Sequence, residues 1–202
     1  MKKSQRLCVS TIIYATLVLF FLTPFYPVLA GKPSQEEQFH AHESIIYNLI
    51  DHGLEPLEKQ KIHIRIEQSA KLNNAKSIDN LSATISTAGE VFGETSDSFS
   101  GMKIPDGFSH ETRDAMKEIH LFFTMGFKAL EQSMGYFSQY QKNHDPAMRA
   151  AYSLKYQEGF TLIDGGLTCL ETLKRGLFPE EFKNVWVKER LYNLRSRSIP
   201  NK

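Results

Sequence analysis

Apolar residues recur along most of this chain at the spacing of a helix face. The cleanest run is Ile78, Leu81, Ile85, Ala88, Phe92, Thr95, Phe99 and Met102, which steps by 3, 4, 3, 4, 3, 4, 3. That alternation tracks the 3.6-residue period and predicts one seam of a helical bundle. Met116, Ile119, Phe123, Phe127, Leu130, Met134 and Phe137 form a second such stripe, and Tyr156, Phe160, Ile163, Leu167 and Leu170 a third. A fourth, earlier helix opens at "PSQEEQF", where Ser34 and Glu37 have the spacing of a capping box. Its stripe is Ile46, Ile50, Leu57 and Ile64, with Gly53 and Gln60 at the intervening steps. Gly53 and Pro56 predict a kink or break near 52–56, because proline removes a ladder bond and crowds the preceding turn. "KIHIRIE" (61–67) alternates like a strand, but no second strand-like run exists to pair with it, so it is read as helical.

The punctuation between stripes is equally regular. "NNAKS" (73–77) reads as a turn with Ser77 as the next cap, and "GMKIPDG" (101–107) ends the helix that follows. Ser109 starts the third helix, with Glu111 and Asp114 in its first turns. Asp145 caps the fourth, with Pro146 at the first helical position, where its missing N–H costs nothing. Gly176 is expected to stop it, and Pro179 to start a short last helix. Four amphipathic helices joined by short turns predict an all-α fold, an antiparallel up-down four-helix bundle over 31–178, with a short C-terminal fifth helix.

Glycines inside these helices need a reason, since each costs about 1 kcal/mol against alanine. Gly89 and Gly93 share a face, as do Gly159 and Gly166, and as do Gly126 and Ser133. Small residues on one face let two backbones approach closely. The expectation is close crossings between bundle helices, not a cofactor pocket. Haem is disfavoured because the chain has no C-x-x-C-H, and His120 and His144 lie off the third helix's main stripe. No cofactor is expected.

The ends of the chain change the picture. Lys2, Lys3 and Arg6 precede an uncharged apolar run over 7–23, and "PFYPVLA" then offers Val28 and Ala30 as the small residues of a cleavage site. This predicts a signal peptide over 1–30 and a secreted or extracytoplasmic protein. The alternative is an uncleaved anchor through residues 7–29. Removing 1–30 takes three basic and no acidic residues from the 24 Lys and Arg and 23 Asp and Glu, leaving a net charge of −2. That balance argues against nucleic acid as a partner. Only Cys169 remains after cleavage, so no intrachain disulfide is possible; it is read as a small buried apolar residue. The segment 179–202 reads instead as a basic amphipathic helix and tail. Lys183, Lys188, Arg190, Arg195 and Arg197 surround Trp186, a combination suited to an anionic envelope surface or a protein partner.

Candidate chemistry is sparse. Among seven histidines the densest cluster is "EQFHAHE". His40 and His42 lie two apart, hence on different sides of a helix, and cannot hold one ion there by themselves. The up-down topology puts the starts of the first and third helices at one end. There His40 or His42 meets His110, with Glu43, Glu111 or Asp114 nearby, as a candidate zinc or copper site. The chain has no G-x-S-x-G, no glycine-rich phosphate loop and no H-E-x-x-H.

The run "KIPDGFSHETRDAM … YFSQYQKNHDPAMRAAYSLKYQEGFTLIDGGL", over roughly 105–170, resembles secreted or membrane-anchored helical proteins of bacterial cell envelopes. The resemblance implies a fold and a compartment and brings no activity or site residue with it. The functional expectation is an exported, non-catalytic bundle that acts by binding at the envelope. The alternative is an extracytoplasmic metal-binding protein or metalloenzyme using His40, His42 and His110.

Overall fold

The structure, a computed structural model, describes residues 33–59, 61 and 75–179. Four helices account for nearly all of them: α1 Gln35–Lys59, α2 Ala75–Gly101, α3 His110–Asn143 and α4 Pro146–Leu177. There is no strand among the described residues, and the four helices pack together as an all-α bundle. They lie in one compact unit that begins at Ser34. No described helix is long and apolar enough to cross a membrane.

Local chemistry sets the helix ends. At α1 the capping box closes in both directions: Ser34 N–H donates to Glu37 Oε2 at 2.8 Å, and Glu37 N–H to Ser34 Oγ at 3.1 Å. At α3 the Thr112 N–H donates to Ser109 Oγ at 3.2 Å. Asp145 caps α4 by accepting from Ala147 N–H at 2.9 Å, with Pro146 next. The link from α3 to α4 is only two residues long. His144 turns left-handed (φ 54°) and returns its N–H to Tyr140 C=O, while Asp145 is extended, as a residue before proline prefers.

Three boundaries differ from expectation. α1 runs through Gly53 and Pro56 to Lys59 without a break. Pro56, Leu54 and Leu57 are all buried, so tertiary packing offsets the lost ladder bond. α2 begins at Ala75, which puts Ser77 inside the helix instead of at its cap. α4 continues past Gly176 and closes at Phe178, whose N–H reaches Lys174 C=O at 2.8 Å. The strand-like run 62–67 and the C-terminal segment 180–202 lie outside the described residues, as does 1–32.

All of the stripe residues on α3 and α4 are buried, and so are Leu81, Ile85, Ala88, Phe92, Thr95 and Phe99 on α2. α1 contributes Phe39, Ile46, Ile50, Leu54 and Leu57. The most extensive contact is between α3 and α4, then between α2 and α3. Glycine makes the first of these possible. A Cβ on Gly126 would stand 2.7 Å from Ile163 Cγ1 and 3.0 Å from the Gly159 carbonyl oxygen, and one on Gly159 would stand 2.8 Å from the Gly126 carbonyl oxygen. Backbone meets backbone there, so neither position has room for a side chain. Gly166 packs closely too, against the side chains of Phe122 and Phe123. Gly89 and Gly93 sit more loosely, with the side chains of Met134 and Glu131 opposite, and Gly135 faces open space.

Candidate functional site

Polar groups in the bundle interior gather where α1 meets α3 and α4. His42 and His120 are 3% and 6% exposed, and their Nε2 atoms stand 3.0 Å apart. One ring therefore carries its hydrogen on Nε2 and donates to the bare Nε2 of the other, which holds its hydrogen on Nδ1. Phe108 packs edge-on to His42, and Phe99 lies against His120. Burial lowers the pKa of His42. His120 falls to about 4, chiefly through burial and secondarily through His42. Both rings are neutral at pH 7.

Next to this pair is a buried ion pair. Lys174 Nζ donates to both oxygens of Glu43, at 3.1 and 2.8 Å, across a sequence separation of 131 residues. Glu43 Oε2 also stands 3.3 Å from His40 Nδ1. The Tyr47 phenol is pushed up, first by burial and then by the Glu43 charge and the hydrogen bond between them. The carboxylate thus has a partner on every side, which is what a charge in a low-dielectric interior requires.

The sequence-predicted site residues separate in this arrangement. His42 turns inward to His120, and His40 bonds Glu43 and stacks near Phe178. His110, the first residue of α3, is largely solvated and pairs with Asp114 of its own helix at 3.0 Å. Among the described residues no group of three or more His, Cys, Asp or Glu converges as metal ligands would. Lys183, Trp186, Lys188, Arg190, Arg195 and Arg197 lie outside the described residues.

His120 and Lys174 are the residues that sequence reasoning missed. A signal for His120 was present: Met116, His120, Phe123 and Phe127 also step by 4, 3, 4, so this histidine lies along the edge of the α3 stripe. Lys174 follows Leu167 and Leu170 on α4 at steps of 3 and 4, and its burial needs only an acid opposite.

Three other interior hydroxyls are committed to backbone carbonyls. Thr95 Oγ1 donates to Val91, Ser96 Oγ to Thr124 and Ser133 Oγ to Leu130. The Cys169 thiol is pushed up by burial and then by the Glu118 charge, which keeps it protonated and a poor nucleophile. The cluster can share or accept protons and can present imidazole nitrogen. It has no activated nucleophile among these groups. No family model, no curated protein and no solved structure matches this chain.

Proposed function

We propose that this chain is an exported, non-catalytic helical-bundle protein that acts by binding at the cell envelope. One observation carries the reading. The helical unit starts at Ser34 with its own capping box, just beyond the small-residue site at Ala30 that ends a basic-then-apolar leader. A cut there leaves the bundle's first cap whole. The proposed topology is antiparallel and up-down, supported by the α3–α4 contacts. Phe137 meets Tyr152, Gly126 meets Gly159 and Phe123 meets Gly166, so positions rise on one helix as they fall on the other. The basic segment 179–202 is the proposed binding element, a fifth helix presenting Trp186 and its flanking Lys and Arg to an anionic surface.

The test has two arms. N-terminal sequencing of the protein recovered from cells should find Gly31 first; an intact Met1 on membrane-bound protein would establish the anchor instead. Deleting 182–202 should then abolish binding to anionic phosphatidylglycerol vesicles. Each basic side chain near the surface contributes about 1 kcal/mol, and that part weakens as salt shortens the Debye length. A deletion that leaves vesicle binding intact refutes the assignment of the tail.

A further inference from the structure

Two neutral imidazoles that aim the same nitrogen at each other inside an apolar wall form either a hydrogen-bonded pair or half of a metal site. The His42–His120 pair has three properties that favour a particular ion. First, its two Nε2 atoms already face each other 3.0 Å apart, and metal–nitrogen bonds of about 2.0 Å to both need the rings to part by about 1 Å to reach a near-linear two-imidazole arrangement. No proton need leave the site, since the donor ring moves its hydrogen from Nε2 to Nδ1.

Second, the one buried carboxylate among the described residues is already committed. Glu43, the residue after His42, is held by Lys174, His40 and Tyr47. The cost of placing an ion in a low-dielectric interior grows with the square of its charge, so a dication is penalised roughly four times as heavily as a monocation. Third, the surroundings are soft. Phe99 and Phe108 line the pair, and the thioether residue Met116 is fully buried one turn before His120 on the same face of α3. Zinc asks for four ligands, commonly with anionic sulfur or oxygen among them, whereas Cu(I) is monovalent and accepts imidazole and thioether.

We propose that His42 and His120 form a buried Cu(I)-binding pair. The inference rests on the interior geometry alone and does not depend on export or on the C-terminal tail.

The test uses the full chain, carrying Cys8→Ser and Cys169→Ser to remove both thiols and purified without a histidine tag. Under ascorbate it should withdraw one Cu(I) per chain from a chromophoric chelator. His42→Ala and His120→Ala should each lower the affinity at least about 10-fold, taking the smaller effect of losing even an outer-shell partner as the lower limit. His110→Ala should change nothing, and zinc should compete poorly. Because a core histidine variant can fail to fold, X-ray absorption of the copper-loaded parent protein gives an independent readout: two imidazole nitrogens bound to Cu(I). The proposal is overturned if the parent withdraws no copper, if binding survives in a folded His120→Ala variant, if His110→Ala abolishes it, or if the absorption spectrum lacks the two imidazoles.

Discussion

Gly126 and Gly135 both sit inside α3, nine residues apart, and the structure gives them opposite surroundings. Adding a methyl group to either should recover about 1 kcal/mol of helix propensity. At Gly135 nothing lies within 4 Å of the new atom, so Gly135→Ala should stabilise by close to that full amount. At Gly126 the same methyl meets Ile163 Cγ1 at 2.7 Å, the Gly159 carbonyl oxygen at 3.0 Å and the Ile163 nitrogen at 3.1 Å. A side chain can rotate away, but the two backbone atoms can move only if α4 shifts as a body. Overpacking of that kind costs about 1–3 kcal/mol, so Gly126→Ala should fall between neutral and about 2 kcal/mol destabilised. The two variants should therefore differ by about 1–3 kcal/mol in urea unfolding of the full chain at unchanged m-value. In thermal unfolding Gly135→Ala should raise Tm by about 2–4 °C. If Gly126→Ala proves as stabilising as Gly135→Ala, the close crossing of α3 and α4 is wrong.

Two further outcomes follow from the interior polar groups. His120 has a folded pKa of about 4 against 6.5 in the unfolded chain, so between those values the unfolded chain binds the additional proton and stability rises with pH. Metal-free protein should lose up to about 3 kcal/mol from this group as pH falls from 6.5 to 4. His42 acts in the same direction, and the pH profile of the urea midpoint should flatten in His120→Gln; an identical slope in both proteins contradicts the buried pair. Lys174→Met should destabilise by about 3–5 kcal/mol by leaving the Glu43 carboxylate buried without its lysine cation, and adding Glu43→Leu should restore most of that loss, with a double-mutant cycle in chemical denaturation as the measure.

The parts of the fold that could be read from sequence are those set by local period and local chemistry. Leu81 to Phe99, Met116 to Phe137 and Tyr156 to Leu170 are buried where their spacing puts them, and Ser34, Ser109 and Asp145 cap as their side chains allow. The glycine seam was half legible: Gly126, Gly159 and Gly166 are close crossings, while Gly135 has the same sequence character and faces open space. What a one-dimensional pattern hides is the partner across the bundle. Pro56 stays helical because of what buries it, and nothing near Glu43 in sequence points to Lys174. The same holds for His42, which pairs with His120, a histidine 78 residues away, and not with His110. Helical periodicity says that a histidine can face inward; only the docking of a second helix says what it meets.

That docking also orders events in time. The α3–α4 crossing joins segments separated by a two-residue turn, so closing it costs little chain entropy and it can form early. α1 has the opposite position: the partners of its buried His42 and Glu43 lie 78 and 131 places further along the chain. It is the natural last arrival in folding and the natural first departure in partial opening. The imidazole pair would then exist only while α1 is seated, and anything that binds there would act as a latch on that helix. In amide exchange such a latch would appear as protection gained along α1 alone, with the α3–α4 core unchanged.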